Sequence, residues 1–429
     1  MSAPASTAAP LGAATARPHV LIALGDSTGG IGAHVASLAG QLADRADLMV
    51  WAPSPTLARP DIARLVDRGV RLEPVRRSWR EQRRLVDGAD IVHAHGFHAG
   101  ARCLPLMPRR SRQILVTTWH NLPPLESALS RSAGRLVASL VARRSRLSLC
   151  ASSDLVTVAL ALGSADARLC AISAPALPPP TRGRDQVRAE LLDEAPADRP
   201  APCTGAGASA PPDETARSRS RPLLVATARL APQKRLDILL DAMALLAHRN
   251  PSPLLVVAGA GPQEDELAAR VRAESLPVRL LGHRSDVADL LAAADVAVSS
   301  SDWEARSLVA QEALRVGVPF VGTDVGGVGE LVGEAAVLVP AGDATRLADA
   351  VAGVLDDPAL AGRLRRLGPA RAASWPDEQR TAEFVWSCYR ELLDTTDEPA
   401  GDDEPALDDE PAGDDEPCDT PNPPDRPPH

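Results

Sequence analysis

Two pairs of charged residues in the second half of the sequence could take part in chemistry. Arg229 and Lys234 form the first pair, five residues apart in ATARLAPQKRLD, directly after a predicted strand. Two cations in a loop at the carboxyl end of a parallel strand suit a diphosphate, whose charge must be neutralised when it leaves. Alternatively, both are ordinary charges at a helix start, although that end of a helix disfavours cations.

Lys234 is also the only lysine among 46 lysine and arginine residues. Such a bias indicates a coding preference that puts arginine wherever either cation serves. A lysine retained against this bias indicates a site that needs a compact ammonium rather than the wide, planar guanidinium. Retention by chance is the alternative interpretation.

The second pair is Glu304 and Glu312, eight residues apart in DWEARSLVAQEAL, with Ser307 and Leu308 at a predicted helix start. Paired carboxylates are typical of the acid and base of a glycoside hydrolase. They could equally accept hydrogen bonds from sugar and ribose hydroxyls, and Glu312 could simply be a surface residue of the helix. The residues alone leave these three interpretations open.

A glycine-rich turn, GDSTGG, follows the first predicted strand and includes Gly29 and Gly30. A glycine turn between a strand and a helix lets backbone N–H groups approach a phosphate at the helix N-terminus. The turn lacks the Lys-Ser/Thr of a P-loop, so a plain strand-to-helix connection is equally compatible with it.

Histidines gather at two predicted strand ends. His93, His95 and His98 occur in DIVHAHGFH, and His120 follows the strand pattern of VTTWHN. A strand that ends in HAH places His93 and His95 on one face. Because no carboxylate accompanies the histidines, we predict no metal site. His120 lies at the end of a strand, where the site residues of parallel sheets collect.

Short apolar strands alternate with helical patterns in two series, residues 18–175 and 222–374. Such alternation predicts an α/β protein with two Rossmann-like, parallel-sheet lobes whose strand ends face one cleft. Residues 176–221 are rich in Pro, Ala, Gly and Ser, which predicts a linker and flexible insertion, interrupted by a short helix around QVRAELL. Residues 375–393 predict a final helix.

Both ends of the chain have compositions that predict disorder. Residues 1–17 form an Ala/Pro/Ser-rich lead, and residues 394–429 form an acidic, proline-rich near-repeat. The net charge of −10 argues against nucleic acid as a partner. Six scattered cysteines without a C-x-x-C pair fit a reducing compartment, so we expect a cytoplasmic protein.

Arginine is concentrated in the first 150 residues, which contain 20 arginines and 10 acidic residues. Runs of arginine could attract anionic lipid headgroups, which predicts peripheral contact with the inner face of the membrane. Solubility is the alternative, because charge runs are usually solvated. The arginines concerned are Arg76, Arg77, Arg80, Arg83, Arg84, Arg143, Arg144 and Arg146.

In their order along the chain, the motifs resemble family 4 of the glycosyltransferases, which are retaining enzymes with the two-lobed GT-B fold. The resemblance covers about residues 19–345. It rests on GGIGAHV, DIVHAHG, VTTWHN, ATARLAPQKRLD, AGAGP, LGHRSDVADLL, DWEARSLVAQEAL, GVPFVGTDVGGVGELV and LVPAGD. The predicted final helix resembles the one that crosses back to the first lobe in this fold.

The resemblance implies a donor that is a UDP- or GDP-linked sugar, and it implies a role for each motif residue. Arg229 and Lys234 would bind the phosphates, and Glu312 would bind the ribose. His120 and Glu304 would hold hydroxyls of the transferred sugar, which places the carboxylates in donor binding and not in hydrolysis. The other donor-binding residues would be Gly29, Gly30, Ser307 and Leu308 at the diphosphate, and Gly282 and His283 at the base.

The implied reaction retains the anomeric configuration without a covalent intermediate, and it requires no divalent metal and no cofactor besides the donor substrate. The departing phosphate takes the acceptor's proton while the two cations stabilise the developing charge. The acceptor is not identified and could be a small molecule, a lipid or a polysaccharide precursor. The alternatives are a nucleotide-sugar epimerase of the same fold and a non-catalytic scaffold that binds nucleotide sugars.

Two departures from the family pattern concern the sugar pocket and the lobe junction. The usual Glu-Gly-Phe-Gly-Leu is Glu304-Ala-Arg-Ser-Leu308 here, so Arg306 replaces an aromatic residue and leaves the donor sugar open. The usual Asn-Gly between the lobes is replaced by SAPALPPP. The insertion that follows lengthens the connection between the lobes.

Overall fold

The computed structural model describes residues 17–27, 29–75, 78–108, 112–122, 128–172, 177–193 and 221–395. These residues form two parallel sheets with helices packed on them, which confirms the predicted α/β fold class. The predicted lead and acidic tail lie outside the described residues, except for Arg17 and residues 394–395. No helix in the described ranges is long and apolar enough to cross a membrane.

The first lobe is built on a seven-stranded parallel sheet in the order β3-β2-β1-β4-β5-β6-β7. Strands β1 to β7 are His19–Leu24, Asp47–Ala52, Arg71–Pro74, Ile91–His95, Ile114–Trp119, Leu147–Cys150 and Ala167–Leu169. The central strands are buried along their whole length, as expected for a parallel sheet covered on both faces. The strand order reverses beside β1, so the carboxyl ends of β1 and β4 form the crevice where ligands of such sheets bind.

Helices cover both faces of this first sheet. Helices α1 to α7 are Gly30–Leu42, Ser54–Leu57, Pro60–Ala63, Trp79–Asp87, Phe97–Cys103, Ala128–Arg144 and Ser153–Ala161. Helices α1 and α3 share one apolar core with the sheet, whereas α4 to α7 pack on the opposite face. The glycine-rich turn before α1 and the loop after β4 therefore meet at one edge of the sheet.

The second lobe is a six-stranded parallel sheet in the order β10-β9-β8-β11-β12-β13. Strands β8 to β13 are Leu223–Thr227, Leu254–Ala258, Val278–Leu280, Val296–Val298, Phe320–Thr323 and Val337–Val339. Helices α8 to α15 are Arg184–Asp193, Leu236–Leu246, Glu264–Ala273, Val287–Ala293, Leu308–Val316, Val328–Val332, Ala344–Asp356 and Pro358–Ala373. The strand order again reverses, beside β8, so its carboxyl end borders the second ligand crevice.

Residues 177–193 fall within the range predicted as a linker, yet they pack on the second lobe. Val187 and Leu191 of α8 enter the apolar core of that lobe. The Asp289 carboxylate accepts hydrogen bonds from the backbone N–H groups of Thr181 and Arg182 at 2.6 and 3.2 Å, and from the Arg182 guanidinium at 2.9 Å. These bonds lower the pKa of Asp289 to about 2 and anchor this segment to α11. The remainder of the predicted linker and insertion, residue 176 and residues 194–220, lies outside the described residues.

The final helix, α16 (Glu378–Asp394), returns to the first lobe and packs on α1. Its inner face buries Val385, Cys388, Tyr389 and Leu392 in the core that also contains β1. Burial contributes roughly 2 kcal/mol for each large apolar side chain. The Arg168 guanidinium adds a bidentate pair with Glu391, so the helix is tied to β7 as well.

Candidate active site

Lys234 and Glu304 lie in direct contact at the carboxyl edge of the second sheet. Lys234 ends the short 3-10 turn after β8, and its Nζ donates to Glu304 Oε1. Ser301 donates to the same oxygen at 2.9 Å, which fixes the carboxylate. The Ser300 hydroxyl donates to the carbonyls of Lys234 and Arg235 at 2.9 and 2.8 Å, so the lysine turn is bonded to the loop after β11. The structure thus brings one predicted cation and one predicted carboxylate together.

Arg229 occupies the loop directly after β8, and its side chain is exposed. This loop lies against the AGAGP turn after β9, where two glycines permit the close approach. A Cβ at Gly259, whose φ is +152°, would lie 1.8 Å from the Ala228 carbonyl oxygen, and one at Gly261 would lie 2.3 Å from that of Leu230. The glycines of this turn therefore let the arginine loop take its position at the sheet edge.

The start of α12 faces the glycine turn of the first lobe. Ser307 is the N-cap residue of α12, 1% exposed, and its hydroxyl accepts from the Ala310 N–H at 3.4 Å. Leu308 follows it, and a Cβ at Gly30 would lie 3.0 Å from the Leu308 Cδ1. The helix N-termini of α1 and α12 thus meet across the cleft, and helix N-termini are a common site for binding phosphate.

Glu312 lies one turn into α12, largely shielded from water. Burial raises the pKa of its carboxyl group to about 7, and the nearby Arg315 only partly opposes that shift. A shielded carboxylate is poised to accept hydrogen bonds from hydroxyl groups, because they replace the water that it has lost. The Glu312 side chain is partly buried and not fully exposed.

Gly29, Gly282 and His283 complete the predicted donor-binding set. Gly29 is the N-cap residue of α1, and its backbone is extended. A Cβ added at Gly29 would meet no atom within 4 Å. Gly282 has a φ of +64°, which favours glycine, and its carbonyl accepts from the Gly259 N–H at 2.8 Å. His283 follows it with an exposed side chain. The turns after β9 and β10 are thereby joined.

Four histidines form a buried cluster beneath the glycine turn. The His95 and His120 rings are joined by an Nδ1···Nε2 hydrogen bond of 3.1 Å, and His34 of α1 lies 5.6 Å from His120 between ring centroids. His93 is held by the Tyr389 hydroxyl and by the Thr118 hydroxyl, each at 2.6 Å. Burial lowers the pKa of His34 to about 4 and keeps that of His120 well below its ordinary value, so both are neutral at physiological pH.

The cluster does not have the makeup of a metal site. Among the described residues, no group of three or more His, Cys, Asp or Glu side chains is arranged to hold a metal ion. His98, the third histidine of DIVHAHGFH, is exposed on α5 and takes no part in the cluster. His34 joins it from a motif, GGIGAHV, in which the sequence gives its side chain no distinct role.

Two contacts between the lobes involve residues that the sequence analysis did not select as site residues. The Trp303 indole N–H donates to Asp154 Oδ2 at 2.8 Å, and Trp303 immediately precedes Glu304. Ser153 donates to Glu330 through both its backbone N–H, at 3.1 Å, and its hydroxyl. We call these four residues the interlobe clasp. The signal that could have revealed it is the polar start of α7 opposite the glycine-rich TDVGGVGEL turn.

Gly326 and Gly327 allow the clasp to close. A Cβ at Gly326, whose φ is +53°, would lie 2.2 Å from the Glu304 carbonyl oxygen. A Cβ at Gly327 would lie 2.6 Å from the Ser152 Cβ of the first lobe. The glycines of the TDVGGVGEL turn therefore allow close packing around the loop that carries Glu304.

Arg306, the residue that departs from the family pattern, lies against Trp375. Its guanidinium carbon is 5.8 Å from the indole centroid, and Arg315 lies at the same distance from that ring. The Arg306 Nε and Nη2 atoms are buried without a hydrogen-bond partner among the described residues, and burial lowers its pKa to about 10.

Two Rossmann-like lobes that face each other across a cleft are the architecture of the GT-B class of glycosyltransferases. Residues 28–173 match the family described as Glycosyltransferase Family 4, and residues 221–357 match Glycosyl transferases group 1. The two matches together cover more than half of the chain. The chain therefore belongs to the glycosyltransferases of the family 4 type, with the GT-B fold.

Individual relatives agree with this assignment. The chain is 29% identical to glycogen synthase of Mycobacterium tuberculosis over 352 residues, which are 80% of this chain and 76% of that protein. It is 32% identical to the lipopolysaccharide core biosynthesis mannosyltransferase LpsB of Rhizobium meliloti over 176 residues, 38% of this chain and 50% of that one. HepE of Anabaena, solved in complex with UDP, superposes with a TM-score of 0.69 at 20% identity and covers 87% of this chain and 100% of its own.

Proposed function

We propose that the chain transfers a hexose from a UDP- or GDP-linked sugar to an acceptor hydroxyl, with retention of the anomeric configuration and without a divalent metal. The contact between Lys234 and Glu304 carries this proposal. It sets a cation for the departing phosphate beside a carboxylate for the hydroxyls of the sugar. HepE, which shares the fold, has been solved in complex with UDP-glucose, which supports a nucleotide-sugar donor.

Each residue of the cleft would contribute to the transfer by binding, orienting or neutralising charge. Arg229 and Lys234 would neutralise the charge that develops on the leaving diphosphate, together with the N–H groups at the start of α12. An oxygen of that diphosphate would take the proton of the acceptor hydroxyl on the same face. The loss of one such stabilising group typically lowers the rate by about 10² to 10³. Neutral His120 would hydrogen-bond a hydroxyl of the sugar, and Glu312 would bind the ribose.

The acceptor is proposed only by class, as a small molecule, a lipid or a polysaccharide precursor. A cytoplasmic location, with peripheral contact to an anionic membrane, remains a prediction. It is supported by four buried cysteines that the structure describes as free thiols.

A binding and hydrolysis panel of UDP-, GDP- and ADP-sugars, with and without EDTA, tests this function on the wild type, Lys234→Ala and Arg249→Ala. Arg249 is a matched control, because it lies beyond the far end of α9 and pairs with Asp356. We expect one nucleotide sugar to bind in the presence of EDTA. Lys234→Ala should weaken that binding about tenfold to a hundredfold, the loss typical of hydrogen bonds to a charged group, whereas Arg249→Ala should not.

Four results would contradict the proposal. Binding of no nucleotide sugar, or equal binding by Lys234→Ala and the wild type, would remove the role given to the cation. Interconversion of sugar epimers would indicate the epimerase instead. Tight binding without turnover in the presence of any acceptor class would indicate a scaffold.

A further inference from the structure

His95, the second histidine of DIVHAHG, contacts the predicted sugar-binding residue directly. Strands β4 and β5 pair with His95 opposite Thr118, and His120 lies two residues beyond Thr118. Because side chains alternate between the two faces of a strand, this spacing brings His120 to the face that carries His95. The His95 Nδ1 atom lies 3.1 Å from the His120 Nε2 atom, and the ring planes differ by 27°. The two rings therefore share one hydrogen bond.

Burial and neighbouring rings hold His95 in place. The residue is 2% exposed, at the carboxyl end of a strand that is buried along its whole length. The His93 ring lies 4.2 Å away between centroids, and it is held in turn by the Tyr389 hydroxyl of α16. The His34 ring of α1 lies 5.4 Å away on another side. The His95 ring is thus confined by the sheet and by two helices while it faces His120.

The tautomers of the two rings follow from the hydrogen bonds that each ring can form. Burial keeps the pKa of both His95 and His120 well below the ordinary value, so each neutral ring has one N–H and one acceptor nitrogen. The His95 Nε2 atom is buried without a hydrogen-bond partner among the described residues. A buried N–H without an acceptor is rarer than an acceptor without a donor. The proton of His95 is therefore on Nδ1, from which it is donated to His120 Nε2.

This hydrogen bond determines what His120 presents to a ligand. Because Nε2 of His120 accepts, the proton of that ring is on Nδ1. Within the described ranges, Nε2 is the only nitrogen of the His120 ring that has a hydrogen-bond partner. His120 follows the carboxyl end of β5, at the edge of the sheet that borders the cleft, and keeps 7% of its surface exposed. The Nδ1–H group is therefore available to a ligand in the cleft.

We propose that His95 is a positioning residue, which fixes His120 as the Nδ1–H tautomer so that His120 donates a hydrogen bond to an oxygen of the donor sugar. The sugar as the ligand rests on the proposed function, whereas the tautomer is a property of the protein alone. An N–H group that is already oriented needs no rearrangement when the sugar binds. The sugar must offer a lone pair at this position, so a hydroxyl group is accepted and a protonated amine is rejected.

Long-range ¹H–¹⁵N NMR of the full chain, labelled with ¹⁵N-histidine, reads the tautomer of each imidazole without any ligand. The spectrum of His120→Gln assigns the signals of His120 by their loss. We expect His120 of the wild type to be the Nδ1–H tautomer. In His95→Phe, the Nε2–H form of His120 should appear, because Nε2 no longer accepts a hydrogen bond. In His95→Asn, the side-chain amide can replace the lost donor, so the Nδ1–H form should return.

Turnover of the nucleotide sugar that the binding panel identifies provides a second readout. His95→Phe should lower kcat by up to about a hundredfold, the effect of a misplaced catalytic group. The KM for the donor should stay nearly unchanged, because His95 lies outside the proposed diphosphate and ribose contacts. His95→Asn should restore most of the activity. His98→Phe is the matched control, because His98 is exposed on α5, and it should change neither the tautomer of His120 nor kcat.

The proposal is overturned if His120 of the wild type is the Nε2–H tautomer, or if His95→Phe leaves the tautomer of His120 unchanged. It is also overturned if His95→Asn is as impaired as His95→Phe, because packing around the ring would then cause the loss. Circular dichroism checks that the variants fold, and the wild-type spectrum decides the tautomer even if His95→Phe does not fold. A wild type that binds no nucleotide sugar but shows the expected tautomer would contradict the proposed function alone, so the two failures are distinguishable.

Discussion

At the scale of single residues, Glu312 offers the sharpest test of nucleotide binding. Its pKa of about 7 leaves the carboxyl group partly protonated at neutral pH. In the proposed site, ribose hydroxyls would donate to the charged carboxylate, so a bound nucleotide would lower this pKa and release a proton. We therefore expect the affinity for UDP or GDP to rise with pH through about 7 and to level off above it.

Glu312→Gln should remove this pH dependence and weaken nucleotide binding about tenfold or more. Calorimetry in buffers of different ionisation enthalpy measures both the affinity and the released proton. Glu334→Gln is the control, because the Glu334 side chain is 89% exposed. An unchanged pH profile in Glu312→Gln would show that another group titrates on binding.

At the scale of elements, the histidine cluster makes α1, β4 and β5 sensitive to acid. Burial lowers the pKa of His34 to about 4 and that of His93 to about 3. In the unfolded chain these histidines become protonated near pH 6.5, whereas in the folded chain they stay neutral down to a lower pH. Stability is therefore intact above about pH 6.5 and is lost as the pH falls toward 4, by roughly 3 kcal/mol for His34.

Urea unfolding at a series of pH values measures this loss. In His34→Leu, the free energy of unfolding should fall less between about pH 6.5 and 4 than in the wild type. The reason is that the variant lacks one histidine that is protonated in the unfolded chain and neutral in the folded chain. His19→Gln, at a position that is 54% exposed, should keep the decline of the wild type. Identical declines in all three proteins would mean that other groups cause the acid sensitivity.

Two kinds of element differ in how far the sequence predicts them. The strands and the loops that carry His120, Arg229 and Lys234 are predictable, because burial of a parallel sheet leaves continuous apolar runs and places all carboxyl ends at one edge. The packing of residues 177–193 is not, because its partners, such as the buried Asp289 carboxylate and the core that receives Val187 and Leu191, come from distant parts of the sequence. The composition of residues 177–193 shows their prolines, but it does not show which distant residues bind this segment and order its backbone.

The whole molecule adds contacts that no local pattern contains. Asp154 and Trp303 are 149 positions apart, and their hydrogen bond joins elements from different lobes. Sequence periodicity reports only which face of an element is buried, so it predicts two lobes and a cleft but not how they meet. The four-histidine cluster is a similar case, because His34 comes from α1, whereas His95 and His120 come from the ends of two strands far along the chain.

The interlobe clasp leads to a prediction about closure of the whole molecule. One contact connects α7 to the loop that carries Glu304, and the other connects α7 to Glu330 of α13. Both lie at partly exposed positions, and each should contribute about 0.5 to 1.5 kcal/mol. Trp303→Phe/Glu330→Gln should therefore lower the population of the closed form by roughly tenfold. A nucleotide sugar that requires both lobes would lose apparent affinity by the same factor, because only the closed fraction binds it.

Small-angle X-ray scattering and nucleotide titration test this closure together. The double variant should show a larger radius of gyration than the wild type and weaker binding, while urea unfolding of the chain stays within about 1 kcal/mol, since neither substitution empties a core. Glu383→Gln is the matched control, because Glu383 accepts from Gln379 within the single helix α16. If the double variant keeps both the compact form and the affinity of the wild type, other contacts hold the lobes together. If it loses affinity at an unchanged radius, Trp303 acts by positioning the neighbouring Glu304 and not by closing the cleft.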